Sequence, residues 1–435
     1  MMKKLLIDKA RKLLRSHGLC LLFWFRPCCS PPLFSLPQDV EPMKKQWPAI
    51  LLLTLCLFFL VSVVETKIEA AEVQPNQFHF YLKNGIEKAF NLDNAAANIY
   101  MQKALELDPE NPTGYAYMAM VYFFSYEMSF EPKDKDRNQE FMLRNIGEAI
   151  AKGEKRIEEN SKDGQAYFAM ALAKVVKVHW AIHQKKYFLI AQETSNIWDY
   201  LEKAKEGDPQ NYDVYFLMGL LHYHIDQLPG LTRFFSSVLI TSGNRQKGLR
   251  ELELAAQKGY LLKELAQVEL SSDYLNFEKI PAKALPFARE LKKKFPNNYN
   301  FLFALGNILS ELRRFKEAFD IAQQIEKGIQ AGKTPYVAQL QPRYNQLMGR
   351  ILFIQGKHEK AAEYFQKALE DTSLYNARVR VLAFLRMGMI HDARKERKQA
   401  EEYYSRALEV EGGEGAAQIE AKKYLNTPYV PPPKP

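Results

Sequence analysis

His179 and His183 lie four residues apart, the spacing that puts two imidazoles on one face of a helix, where they could hold a zinc ion. Hydrolytic chemistry at such a pair needs a carboxylate beside the ligands, as in His-Glu-x-x-His, and here no Asp or Glu neighbours either histidine. His222 and His224 form a second pair, but residues two apart on a helix point about 160° from one another. All four therefore read as packed or surface histidines. The chain has neither a Gly-rich phosphate loop nor a Gly-x-Ser-x-Gly elbow. Its four cysteines, Cys20, Cys28, Cys29 and Cys56, all precede residue 57. The rest of the chain offers no disulfide, thiolate metal site or cysteine nucleophile. The many carboxylates fall mostly on helix faces, where they pair with Lys or Arg and stay solvated. The expectation is a non-enzyme, with no catalytic residue, no cofactor and no metal ligand.

The charge balance narrows the partners. The 435 residues carry a net charge of +9, and residues 1–71 hold ten basic and five acidic side chains of that total. The remainder holds 50 basic and 46 acidic residues, well mixed. A nucleic-acid surface gathers its basic residues on one stripe, so no nucleic-acid partner is expected. Aromatic residues make up 12% of the chain, which fits a folded protein with a large core rather than a disordered one.

The elements that would carry these side chains recur at a fixed period. Tyr81, Asn84-Gly85, Ala97, Met101, Ala104 and Pro109 form one unit. Leu302, Leu305-Gly306, Leu309, Ala318 and Ala322 form another, and Met348-Gly349, Ala361, Phe365 and Ala368 a third. The last unit reads Phe384, Met387-Gly388, His391, Ala400, Tyr404 and Ala407. Three junctions repeat as well. Asp108-Pro109-Glu110-Asn111, Asp208-Pro209-Gln210-Asn211 and Phe295-Pro296-Asn297-Asn298 are each followed by a bulky residue six positions after the proline: Tyr115, Tyr215 and Leu302. Proline stops one helix because it lacks an amide hydrogen, and Asn turns the chain into the next.

This pattern resembles the tetratricopeptide repeat, two antiparallel helices in about 34 residues with small residues where the helices cross and large ones between them. The resemblance covers residues 72–412 in about eight units and implies an all-α superhelix of helical hairpins. Helix B of the second unit, around Ile146 to Ile157, and helix A of the fifth, near Val268 to Leu275, match the pattern poorly. Two insertions interrupt it: 127–140, read as a polar loop, and 226–245, which includes Phe234, Phe235, Val238, Leu239 and Ile240. Residues 413–435 read as a capping helix, Ala416 to Leu425, and a Pro-rich tail.

Ahead of the repeats, Lys44 and Lys45 precede sixteen largely apolar residues, Ala49 to Val64, as in a bacterial signal sequence. The run falls short of the roughly 20 residues of a full span. Residues 43–71 are expected to be a signal peptide or N-terminal anchor, with membrane association through 49–64. Residues 1–42 fit no export pattern and read as an upstream extension from a misplaced start. The rest of the chain is then expected outside the cytoplasm, in the periplasm or on the outer face of the inner membrane.

The resemblance also implies where a partner would lie. Positions 5, 9 and 12 of helix A face the concave side in this family. Early units place Leu82, Ile86 and Ala89, then Ala116, Met120 and Phe123, then Phe168, Leu172 and Val175, then Phe216, Leu220 and Tyr223 there. Later units turn polar, with Phe303, Asn307 and Ser310, then Gln346, Arg350 and Phe353. None of the four early units carries the Lys and Asn with which family members of the chaperone-binding type hold a carboxylate. The expected function is a scaffold holding a protein or peptide partner, with an adaptor for a lipid or other apolar chain as the alternative. An apolar groove of that length needs a cover, either the 226–245 insertion or a hydrophobic partner.

Overall fold

The computed structural model describes residues 77–194, 196–225, 244–332, 335–413 and 415–431. The expected signal segment, residues 1–42, all but the last two residues of the 226–245 insertion and the end of the Pro-rich tail lie outside the described residues. Among the described residues the chain is helical, with no strand.

The helices pair into eight hairpins. The first is α1 (77–90) with α2 (Asn94–Leu107), and the second is α3 (Pro112–Met128) with α4 (Pro132–Glu159). The third is α5 (Gly164–His183) with α7 (Ile197–Gly207), a short α6 (Tyr187–Thr194) lying between them. The fourth is α8 (Val214–Ile225) with α9 (Arg245–Lys258), and the fifth α10 (Lys263–Asn276) with α11 (Pro281–Lys294). The sixth is α12 (Tyr299–Glu311) with α13 (Phe315–Ala331), and the seventh α14 (Gln341–Ile354) with α15 (His358–Leu369). The eighth is α16 (Ala377–Ala393) with α17 (Arg397–Glu409), closed by α18 (Ala416–Asn426). The all-α repeat architecture read from the sequence is the one observed.

The junctions work as their residue types require. Asn111 accepts a hydrogen bond from the Thr113 amide and Asn298 one from the Asn300 amide, so each Asn caps the helix it opens. Pro112 follows Asn111 in the first turn, where a missing amide hydrogen leaves nothing unpaired. One expectation is corrected. Residues 127–140 are not a polar loop: α4 begins at Pro132 and runs 28 residues. Pro132 sits in its first turn and Asp134 faces the helix's positive end, so the charge cluster that read as a loop is a helix start. The short α6 has no counterpart in the repeat. Lys174 and Lys177 on α5 hold its Glu193 at 2.8 and 2.6 Å.

The repeat pattern has a direct steric cause. A Cβ on Gly388 would lie 2.4 Å from the Tyr404 ring, one on Gly349 2.6 Å from Phe365, and one on Gly85 2.8 Å from Met101. Each glycine lets the large side chain of helix B lie against the backbone of helix A. Gly388→Val should therefore destabilise the fold by about 3 kcal/mol, through overpacking. Gly147→Ala in α4, where the new methyl would meet nothing, should be neutral or stabilise by about 0.5–1 kcal/mol. Urea midpoints of the two variants check the contrast. Equal effects would contradict the packing account.

Beyond its neighbours, each early hairpin touches a much later one. Phe90 of α1 stacks on Phe295 with ring centres 5.2 Å apart, and Asn298 donates to the Phe90 carbonyl at 2.7 Å. Phe130, after α3, packs on Tyr375 before α16 at 4.1 Å, and Lys185, after α5, pairs with Glu411 after α17 at 3.4 Å. The stack thus curls until one turn of the superhelix lies against the next.

Candidate functional site

The curling brings charged side chains of distant hairpins toward a common interior. Glu127 on α3 pairs with His183 on α5 at 3.0 Å. Burial raises the Glu127 carboxyl, but His183 and then the charge of Arg378 on α16 outweigh it and hold the group below the ordinary carboxylate range. Glu269 on α10 is held down in the same way: burial opposes, and His224, His179 and again Arg378 prevail. Arg378 therefore acts on carboxylates of the second and the fifth hairpins at once. His179 remains accessible, yet burial pulls its imidazole below the usual value.

The histidines read as packed or surface groups divide as their helical angles require. His222 is buried, shares a 2.5 Å hydrogen bond with Glu251 and meets Trp198 edge-on at 4.7 Å. His224 points the other way, to Glu269 at 2.6 Å. His179 stacks on Phe123 at 6.1 Å, and His183 meets the same ring edge-on at 6.2 Å.

The densest part of the interior lies on α10. Glu269 and Asp273 are one turn apart on this helix, and their oxygens together with a ring nitrogen of His224 all lie within 4.8 Å of one another. Around them Tyr223 donates to Glu278 at 2.7 Å, and Arg245 donates to the same oxygen at 2.6 Å. Asp273 is fully buried and both its carboxylate oxygens lack a hydrogen-bond partner. Burial first, then the charges of Glu269 and Glu278, opposed by Arg245, push its carboxyl up to about 9.

The sign of the consequence comes from the two states. An unfolded Asp ionises near 3.8, so between that value and the folded one the native state alone keeps the proton. Stability is lost as pH rises through this window. Asp273→Asn removes the dependence. In EDTA, its stability relative to the unaltered chain should grow between pH 5 and pH 8 by on the order of 2–4 kcal/mol, read by urea unfolding. An equal difference at both pH values would contradict the burial of this acid.

The expected concave residues are placed largely in the packed interior. Leu82, Ile86, Met120, Phe168, Leu172 and Phe216 are buried, as are Phe123, Leu220, Tyr223 and Phe303. Arg350 is buried too and donates to Glu311 at 2.7 and 3.0 Å. Asn307 is half-buried, its side-chain oxygen without a hydrogen-bond partner. Sequence reasoning missed Glu127, Glu269, Asp273 and Arg378. For two of them a signal was present: the poor match of Val268 to Leu275 to the apolar repeat coincides with the stretch of α10 that carries Glu269 and Asp273.

A second device fixes α10. Asp213, buried ahead of α8, accepts hydrogen bonds from the amides of Tyr260, Leu261 and Leu262 at 2.8, 2.9 and 3.1 Å. Those amides belong to the turn that opens the fifth hairpin, so one carboxylate sets the register of the fourth hairpin against the fifth.

A family model for the tetratricopeptide repeat matches residues 342–370, which is the seventh hairpin. Among solved structures, yeast Tom70 is 13% identical with a TM-score of 0.36, over 85% of this chain and 85% of that one. A tetratricopeptide repeat protein from Parabacteroides merdae is also 13% identical, with a TM-score of 0.31, over 72% of this chain and 99% of that one. No curated protein matches in sequence. The family model thus identifies the seventh hairpin as a tetratricopeptide repeat, and hairpins one and eight share its small-against-large crossing.

Proposed function

We propose that the chain is a non-enzymatic scaffold of the cell envelope, facing away from the cytoplasm, that holds a polar segment of a partner protein in its charged interior. The repeat is in general a protein–protein interaction fold, and stacked repeats offer a concave surface to an extended partner. The observation that carries this reading is a division of labour among the concave positions. The apolar ones are consumed by packing, whereas Glu127, His183, His224 and Glu269 keep about a quarter to a third of their side chains exposed. Charged pairs that stay partly exposed can be reached by the polar groups of a partner. The alternative of a lipid or apolar chain rests on 226–245, of which only Asn244 and Arg245 are described. The envelope location rests on Lys44, Lys45 and the apolar run after them.

Two measurements test the two parts separately. A photo-crosslinking residue at position 183, inside, should yield one discrete protein adduct in intact cells, and the same residue at exposed Glu158 should yield none. Adducts from position 158 alone would overturn the interior site. A phosphatase reporter fused after residue 80 should be active, and an inactive one paired with an active cytoplasmic reporter would overturn the location.

A further inference from the structure

Helix α10 buries Glu264, Gln267, Ser271 and Asp273. Lys294 answers Glu264 at 2.6 Å, but nothing answers Asp273, whose carboxylate lies beside His224 and Glu269. A buried, unpartnered carboxylate is costly unless a cation completes it. We propose that His224, Glu269 and Asp273 form a binding site for a divalent first-row transition ion of the manganese or zinc class. The donor set is one imidazole nitrogen and two carboxylates, which suits such ions. Calcium, by contrast, takes six to eight oxygens, and the imidazole disfavours it.

The geometry agrees with the donor set. Tetrahedral donors each about 2.1 Å from one ion lie about 3.4 Å apart. The observed spread, within 4.8 Å, closes to that by side-chain rotation on α8 and α10. The ligands come from rigid elements: His224 from the last turn of α8, Glu269 and Asp273 from one face of α10. Three carboxylates, Glu269, Asp273 and Glu278, crowd this corner; Arg245 hydrogen-bonds Glu278, and its charge also reaches Asp273. A dication would give the unpartnered Asp273 carboxylate its counter-charge.

Manganese is the right probe, because the four cysteines ahead of residue 57 would compete for zinc and bind manganese poorly. The full chain, stripped with EDTA and dialysed, is titrated with MnCl2, and free ion is followed by its electron paramagnetic resonance signal. One equivalent should disappear from solution, and the melting temperature should rise with it. Asp273→Asn and His224→Ala should each weaken binding about tenfold or more, with the Asn variant melting no lower than the unaltered chain in EDTA. Glu396→Gln, which breaks a His–carboxylate pair with His391 elsewhere, should bind as the unaltered chain does. Failure of the unaltered chain to retain manganese at millimolar concentration, or undiminished binding by both site variants, would overturn the site.

Discussion

Replacing Phe168 and Phe216 together by Asp should abolish cooperative unfolding of the repeat region. Both rings are nearly inaccessible, at 3% and 4% exposure. Each substitution loses a Phe-sized packing contribution of roughly 3–5 kcal/mol. Each also places an unpaired charge where no counter-ion waits, which adds to the cost. The sum reaches or exceeds the usual stability of a domain, roughly 5–15 kcal/mol. Phe188→Asp is the internal control: that ring is 84% exposed, and its loss should move stability by no more than about 0.5 kcal/mol. Circular dichroism melts and urea curves of the purified variants decide it. A double variant with an unchanged midpoint would mean that these positions line an open groove.

Asp213→Ala should be the most damaging single change outside the apolar core. It strands three amides, those of Tyr260, Leu261 and Leu262, in a buried turn. At 1–3 kcal/mol for each unsatisfied buried group, partly relieved by entering water, the loss is about 3–5 kcal/mol. Asp213→Asn keeps one oxygen, the one that accepts from Tyr260 and Leu262, and should recover more than half of the loss. The readout is hydrogen exchange across 259–276 as well as the global midpoint, because the fifth hairpin should open first. Uniform loss of protection over all hairpins, with Asn no better than Ala, would contradict this role.

The sequence made the hairpins legible because their signals are local. Gly349 against Phe365 and Gly388 against Tyr404 are sixteen residues apart in the chain and in direct contact, so the spacing carries the packing. Junction prolines and asparagines act within one turn of their own position. Residues 127–140 mislead because charge density favours loop and helix start alike, and only Pro132 tells them apart. The interior was not legible. The charge of Arg378 reaches Glu127 and Glu269 through the superhelical curl, which no single repeat encodes. Asp213 was invisible for the same reason: its partners lie 47 to 49 positions away. The concave face reads as apolar because positions 5, 9 and 12 hold apolar residues. Most of those side chains are buried, whereas His183, Glu127, Glu269 and His224 stay partly exposed.

That curl places the groups of the charged interior, and the contact between α1 and the end of α11 tests it most directly. A double-mutant cycle on Phe90→Ala and Phe295→Ala measures the coupling between two rings stacked 5.2 Å apart in distant hairpins. The expected coupling is about 0.5–1.5 kcal/mol, the range for an aromatic pair beyond its buried area. In an open solenoid each repeat touches only its neighbours. Strictly additive losses from the two substitutions would show that the turns of the superhelix do not meet.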